Sequence, residues 1–568
     1  MTILWLIPAV ASAVVVVLPP RAAELAKRLG LGAAAATAVW AVIVAVRFSP
    51  GGAGGQRFQL VEDVSWIPAL GARYTLALDG IGLALVLLTA LLTPLLLLAA
   101  WRDVDGDGHG HDDDGSAPRR VHAYFALFLA IEAMVLISFV AIDVLLFYLV
   151  FEAMLIPMYF LIGGYGVSTP LDRRKDTDRR RNGDQRGDGD RRRDGDQRED
   201  DDRRGDAGRR GSSQAAVRFL LYNLLGGLVM LAAVIGLYTV SARTGSGTFS
   251  LTALSTMAER GESAASSTTL HLLFLGFLFA FAVKAPLWPL HGWLPDAAVA
   301  ATPASAVLMM AVMDKVGTFA MLRFCLGLFP ESAAVFAPIV SGLAVVSILY
   351  GAILAIGQTD LMRLISYTSI SHFGFIVLGI FALTAQGQSG SALYMVNHGI
   401  ATAALFLIAG FLVTQRGSRL IADYGGVQQV APVLAETFLV AGLATLSLPG
   451  LAPFVSEFLV LIGTYVRYPV AAVLAAGALV LSALYILWTY QRMFGGPVRL
   501  PGPRDDEGSG ATSIRDLGVR QKAVVAPLLA ALLVLGLFPG PILDLVDPAV
   551  AHTVTGPENP SATAGGAR

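Results

Sequence analysis

The chain has 568 residues, 55% of them hydrophobic and only 15% charged, with a formal net charge of −1 and a mean hydropathy of +0.64. A water-soluble chain of this length divides into several domains and carries far more surface charge, and a nucleic-acid partner needs a basic face that is missing here. One cysteine, Cys325, excludes an internal disulfide and any cysteine-based zinc or iron–sulfur centre, and no glycine-rich phosphate loop is present.

Fourteen runs are apolar and long enough to cross about 30 Å of hydrocarbon as helices. They lie near 2–18, 31–47, 77–101, 121–141, 144–166, 214–240, 268–290, 303–328, 333–357, 360–383, 389–415, 431–466, 469–494 and 523–540. Short alternating segments, the mark of a membrane barrel, do not occur, so the expected fold is an all-α integral membrane protein. The first run reads as a retained helix rather than a signal peptide, because Arg21, Lys27 and Arg28 follow it and no basic residue precedes it.

Two connections stand out along the chain. Asp103, Asp105, Asp107 and Asp112–Asp114, with His109 and His111, have the spacing of a calcium loop, but no apolar residue sits where such a loop needs one. The stretch reads as a solvated acidic loop. The insert 171–211 holds 15 Lys/Arg and 13 Asp/Glu among Gly and Gln; without apolar periodicity it is expected to be disordered. With the N-terminus outside, Arg21, Lys27, Arg28, Arg102, Arg119, Arg120, Arg363, Arg416, Arg419, the insert and the basic residues from Arg492 to Lys522 fall on the cytoplasmic side. Arg47, Arg57, Arg73, Arg243, Arg260 and Arg467 fall opposite. The positive-inside rule then places both termini outside.

Ionised groups at mid-membrane cost about 2.5–3.5 kcal/mol each on insertion scales, so those present are candidates for function. Glu152, Lys284, Lys315 and Glu457 lie inside spans; Glu132, one span before Glu152, is a fifth. Asp143 lies at a span boundary and Asp314 directly precedes Lys315. Lys284 opens the stretch Lys284-Ala285-Pro286-Leu287-Trp288-Pro289, and Glu457 follows Leu448-Pro449-Gly450-Leu451-Ala452-Pro453. Proline lacks an N–H and opens the helical ladder, and open backbone at membrane depth survives only where it is buried or lines a wet cavity. The two breaks fall in spans seven and twelve, which suggests two inverted five-helix repeats, spans 4–8 and 9–13. The chain then divides into 1–120 (spans 1–3), 121–330 (first repeat, with the insert), 331–495 (second repeat) and 496–568 (last span and polar tail). His372 and His398, in or near spans ten and eleven, are candidate relay groups, since imidazole passes a proton through either ring nitrogen.

These residues sit in motifs that resemble a known family. Phe147-Tyr148-Leu149-Val150-Phe151-Glu152-Ala153-Met154-Leu155-Ile156-Pro157, Lys284 through Asp296, Asp314-Lys315-Val316-Gly317, Tyr367 through Gly374 and Asn397-His398-Gly399 are similar to successive helices of the antiporter-like membrane subunits of the proton-pumping NADH–quinone oxidoreductase (respiratory complex I) and of the related Mrp antiporters. Glu457, where most of these subunits carry lysine, points to the M subunits, and about 28 residues after the final span leave no room for the lateral arm of the L subunits. Asp360-Leu361-Met362-Arg363 departs from the family's Asp-Leu-Lys-Arg, and the 171–211 insert lies outside the common core.

The resemblance implies a proton channel, part of a redox-driven translocase in a bacterial inner membrane. In it Glu152 pairs with Lys284 and holds it charged. Withdrawing the carboxylate sends the proton through Lys315 and His372 or His398 to Glu457, the terminal acceptor. FMN, iron–sulfur clusters, NADH and a quinone would belong to other subunits, with the L and N subunits as membrane neighbours and no cofactor or metal in this chain. The rival readings are a subunit of an Mrp-type Na⁺/H⁺ antiporter or membrane-bound hydrogenase, an idle scaffold, and a stand-alone secondary transporter.

Overall fold

The computed structural model describes residues 1–50, 57–102, 120–166, 196–245, 247–262, 265–499 and 514–554, with backbone only for 196–210 and 554. The 103–114 loop and most of the 171–211 insert therefore lie outside the described residues. Among the described residues, twelve helices are long and apolar enough to cross a membrane.

In chain order the helices are α1 (Thr2–Val17), α2 (Ala23–Arg47), α3 (Gly80–Ala99), α4 (Val121–Val140), α5 (Val144–Ala153), α6 (Leu155–Tyr165), α7 (Asp196–Thr244), α8 (Leu251–Glu259), α9 (Ser267–Lys284) and α10 (Leu294–Ala300). There follow the span α11 (Pro303–Leu328), then α12 (Pro330–Ile356), α13 (Leu361–Phe381), α14 (Ala385–Arg416), α15 (Pro432–Thr445), α16 (Ala452–Arg467), α17 (Pro469–Phe494), α18 (Val519–Leu537) and α19 (Gly540–Val554).

Each of the fourteen apolar runs meets a helix or a broken pair, but two fall short of a full span. The first is only the 16 residues of α1, and 431–466 divides into α15 and α16 around Pro449 and Gly450, the latter at φ +94°. A further division falls at Met154, between α5 and α6, because Pro157 has no N–H to give the Ala153 carbonyl. Among the described residues several elements have no counterpart among the expected spans, short α10 among them. A hairpin, β1 (Gln59–Ile67) and β2 (Ala72–Leu78), pairs antiparallel and turns through Gly71 at φ +62°. Short α8 follows α7, and α19 follows α18 where a polar tail was expected. The end of the insert departs from expectation too: α7 begins at Asp196, inside it. Once a span is helical, each further residue adds a backbone bond without a new nucleation cost.

Depth in the bundle is uneven. In α11, α13 and α14 the most apolar stretch is 100%, 94% and 94% buried, against 33% in α2 and α17 and 22% in α18. The first three form the protein-lined centre, and they carry Lys315, His372 and His398. Small residues let this centre close up, as packing without a hydrophobic drive requires. A Cβ on Gly463 of α16 would lie 2.2 Å from the Gly387 nitrogen of α14, and one on Gly390 2.8 Å from the Val460 nitrogen.

Two junctions are built alike. Asp143 caps α5, accepting from Leu145 N and Leu146 N, both at 3.0 Å, while Leu251 N bonds Ile142 O and Val144 N bonds Phe249 O, both at 2.9 Å. Asp360 caps α13, accepting from Met362 N (2.8 Å) and Arg363 N (3.0 Å), while Ile421 N bonds Thr359 O and Leu361 N bonds Arg419 O, both at 2.9 Å. Asp143 also accepts from Arg73 N at 3.0 Å. Both its oxygens serve backbone donors, so this candidate acid is a helix cap.

Candidate proton pathway

Lys284 is the last residue of α9, where the helix dipole favours a cation. Beyond it the chain unwinds through Pro286 and Pro289 until α10, and Trp293 Nε1 donates to the Val283 carbonyl at 3.0 Å, one of the acceptors the break frees. The Lys284 ammonium is buried, donates to the Phe151 carbonyl at 2.7 Å and lies 3.8 Å above the Phe151 ring. This corrects the expected Glu152–Lys284 contact: the lysine rests on the residue before the glutamate, and no ion pair joins the two. A carbonyl and a ring face satisfy the ammonium without immobilising the carboxylate, whose charge still acts on it.

Glu152 instead points into a recess on α7. A Cβ on Gly227 would lie 1.9 Å from its Oε1 and 2.0 Å from its Cδ, and Oε1 has no hydrogen-bond partner. Gly227→Ala is therefore expected to displace the carboxylate while leaving the bundle intact, since the atom it meets is the free end of a flexible side chain. Thermal melting should stay within about 1 kcal/mol of native, as for substitutions that disturb no packed core, while proton uptake falls. Unchanged uptake would show that the recess has no part in transport.

Lys315 sits between two π-helical segments of α11, Leu308–Met313 and Met321–Cys325. π-helical turns are frequent at functional sites. Its ammonium donates to Met310 O at 3.0 Å, lies 2.6 Å from His398 Nδ1 and stands 4.2 Å above the Phe373 ring. The rings of His398 and His372 are 5.3 Å apart. His372 Nδ1 meets the Tyr394 hydroxyl at 2.5 Å, and the Nε2 of each histidine is buried without a partner. Tyr394 lies beside the Glu457 carboxyl, to which the Ser447 hydroxyl donates. Ser447 holds φ +60° in the unwound turn between α15 and α16, and Asn397 steadies that turn by donating to Ala452 O at 2.7 Å.

The structure thus brings Lys315, His398, His372 and Glu457 into one buried line, with Tyr394 and Ser447 as members that the sequence reading missed. Tyr394 lies one helical turn before His398, a spacing that offered a signal. Lys284 and Glu152 form a second cluster. Glu132 stands apart in α4, fully buried, beside Thr93 of α3. At one end of the bundle Asp296 pairs with Arg363 and with Arg218 of α7, the latter at 2.5 Å, so α7 supplies a second cation near the position where Met362 replaces the family's lysine. At another, buried Asp79 binds Arg323 at 2.7 Å with Arg57 at 3.9 Å. Among the described residues no three His, Cys, Asp or Glu side chains converge as metal ligands.

Apolar spans packed around two broken helices, with lysines, histidines and carboxyls buried at their centre, define an antiporter-like membrane subunit. Residues 205–482 match the family model described as NADH:quinone oxidoreductase/Mrp antiporter, TM. The chain is 52% identical to the NADH-quinone oxidoreductase subunit M of Mycobacterium tuberculosis, covering 98% of this chain and 94% of that one. It is 34% identical to the subunit M of Escherichia coli over 88% and 86%. Among solved structures, respiratory complex I from Thermus thermophilus with bound NADH has a chain that superposes with a TM-score of 0.75 at 30% identity, over 97% of this chain and 99% of that one. The Mrp complex from a Dietzia species gives a TM-score of 0.75 at 21% identity over 97% of each chain, a likeness of fold. The chain belongs to the subunit M family of NADH-quinone oxidoreductases.

Proposed function

We propose that this chain translocates protons in the membrane arm of an NADH–quinone oxidoreductase, driven by electron transfer that other subunits perform with NADH, FMN, iron–sulfur clusters and a quinone. The observation that carries this reading is the unbroken run of buried side-chain neighbours from Lys315 through His398, His372 and Tyr394 to Glu457. Such a run in a protein-lined centre gives a proton successive acceptors where lipid gives none.

Glu152 acts as the gate. At an effective dielectric of 20, bringing its charge to within 4 Å of Lys284 is worth about 4 kcal/mol. That is about three decades in the lysine's proton occupancy. With the carboxylate in its Gly227 recess the ammonium is less favoured and hands its proton on; with the carboxylate swung across, Lys284 reloads. Glu457 is the terminal acceptor, and water completes the route at either end. The two like-built junctions at Asp143 and Asp360, one in each half of the core, support two inverted five-helix repeats. Neighbouring antiporter-like subunits of L and N type, in a bacterial inner membrane with both termini outward, complete the arrangement.

The test is proton uptake by membrane vesicles energised with NADH, comparing the native chain with Glu152→Ala and Lys284→Ala. A channel loses uptake in both variants while NADH oxidation by a soluble electron acceptor continues. Native uptake from Lys284→Ala would mean that the chain is a scaffold.

A further inference from the structure

No hydrogen bond joins the Lys284–Glu152 cluster to the line that begins at Lys315, and Asp314 of α11 lies within electrostatic reach of both lysines. This aspartate is fully buried, and neither carboxyl oxygen has a hydrogen-bond partner. The two charges that act on it are those of Lys315 and Lys284.

The backbone explains its position. α11 is π-helical from Leu308 to Met313, and the Asp314 N–H closes that segment by bonding Met309 O, five residues back, at 2.9 Å. The chain then resumes as an α-helix at Lys315. Gly317 packs so closely on α9 that a Cβ there would lie 2.9 Å from both the Phe281 carbonyl and the Ala285 nitrogen. Residues three apart share a helix face, so Asp314 belongs to the side of α11 that meets the end of α9 at Lys284. Lys315, one residue on, turns to His398 of α14.

Asp314 also differs from the other buried aspartates. Asp79, Asp143 and Asp360 each accept backbone N–H bonds at a helix start, and Asp79 binds Arg323 as well. Asp314 does neither. A buried carboxyl without donors is costly as an anion, and such a group in a native protein calls for an explanation beyond packing.

We infer that Asp314 carries the proton from Lys284 to Lys315, an assignment that rests on the translocation proposed above. The Lys284 ammonium gives a proton, through an intervening water, to the Asp314 carboxylate, leaving a neutral amine and a neutral acid. The acid O–H then gives that proton, again through water, to the neutral Lys315 amine, which restores the carboxylate and leaves an ammonium against His398. Each transfer conserves charge, and the carboxylate spares the proton a direct passage between two amines.

The experiment uses the assembled complex in NADH-energised vesicles, with Asp314→Asn, Asp314→Glu and Lys284→Ala beside the native chain, and NADH oxidation by a soluble acceptor as the check on assembly. Asp314→Asn should lower proton uptake per NADH oxidised roughly tenfold, less than the ~10²–10⁴-fold typical of a lost acid–base group because water substitutes in part. Asp314→Glu should restore it, which a packing role would not do, since the added methylene is no better a fit than the isosteric amide. Native uptake in Asp314→Asn together with loss in Lys284→Ala would overturn the assignment and leave the wider reading standing. Native uptake in both would overturn the wider reading. Loss in both Asp314 variants would make Asp314 a packing residue and overturn the assignment. Should Asp314→Asn not assemble, Asp314→Ser is judged by the same criterion.

Discussion

Lys315→Met should stop proton uptake while leaving the bundle folded, at a modest cost in stability. Methionine keeps most of the side chain's length and volume but has no proton to give. The Met310 carbonyl and His398 Nδ1 each lose the neighbour now at 3.0 and 2.6 Å, and His398 has no charged group upstream of it. Loss of a positioned acid–base group is worth ~10²–10⁴-fold in rate. Stability should follow a different rule. The Lys315 ammonium makes no salt bridge to a carboxylate, although the charge of Asp314 acts on it, so methionine should cost less than the about 3–5 kcal/mol of breaking a contacting buried pair. The measurement pairs vesicle uptake with a thermal melt of the purified assembly. A variant that pumps normally, or one that melts far lower, contradicts the role given to Lys315.

Arg323→Met has the opposite signature. Arg323 joins α11 to two other helices: its guanidinium binds Asp79 at 2.7 Å, donates to Phe139 O at 2.8 Å and lies 4.2 Å from the Phe319 ring centroid. Asp79 is 1% exposed and caps α3 through Gly82 N at 2.8 Å. Removing one partner of a buried pair typically costs about 3–5 kcal/mol, because the other charge is left uncompensated. Arg57, 3.9 Å from Asp79, recovers part of this. Burial holds Arg57 below the usual arginine range, with Asp79 opposing that shift. A clear fall in the melting temperature, partly reversed by Asp79→Asn in the same chain, is the expected outcome. A melt equal to native would show that the pair contributes nothing to stability.

The contrast explains what could be read from the chain alone. Spans were legible because lipid selects uninterrupted apolar runs, and Glu152, Lys284, Lys315 and Glu457 stood out against them. The breaks at Lys284 and Glu457 followed from proline chemistry, yet the same chemistry at Pro157 passed unnoticed because the run on either side stays apolar. Hairpin residues 59–78 were hidden in a connection, and the π-helical turns of α11 have no sequence signature. Gly227 and Ser447 carry no charge and nothing sets them apart, and Tyr394 has only its spacing from His398; their importance comes from what the fold puts beside them. Asp143 and Asp360 each precede a helix start, where a carboxylate is a preferred cap, and that position favoured a structural role. The partner of Lys284 was beyond reach of spacing rules, because a carbonyl and a ring face compete with a carboxylate only in three dimensions.

The near-contact of the Gly463 and Gly387 backbones has a mechanical consequence. Helices separated by side chains absorb a push by switching rotamers; where main chain meets main chain there is nothing soft to yield. α14, with its histidine and tyrosine, and α16, with Glu457, must therefore shift as one lever. A displacement passed on by an adjoining subunit would reach Glu457 without slack.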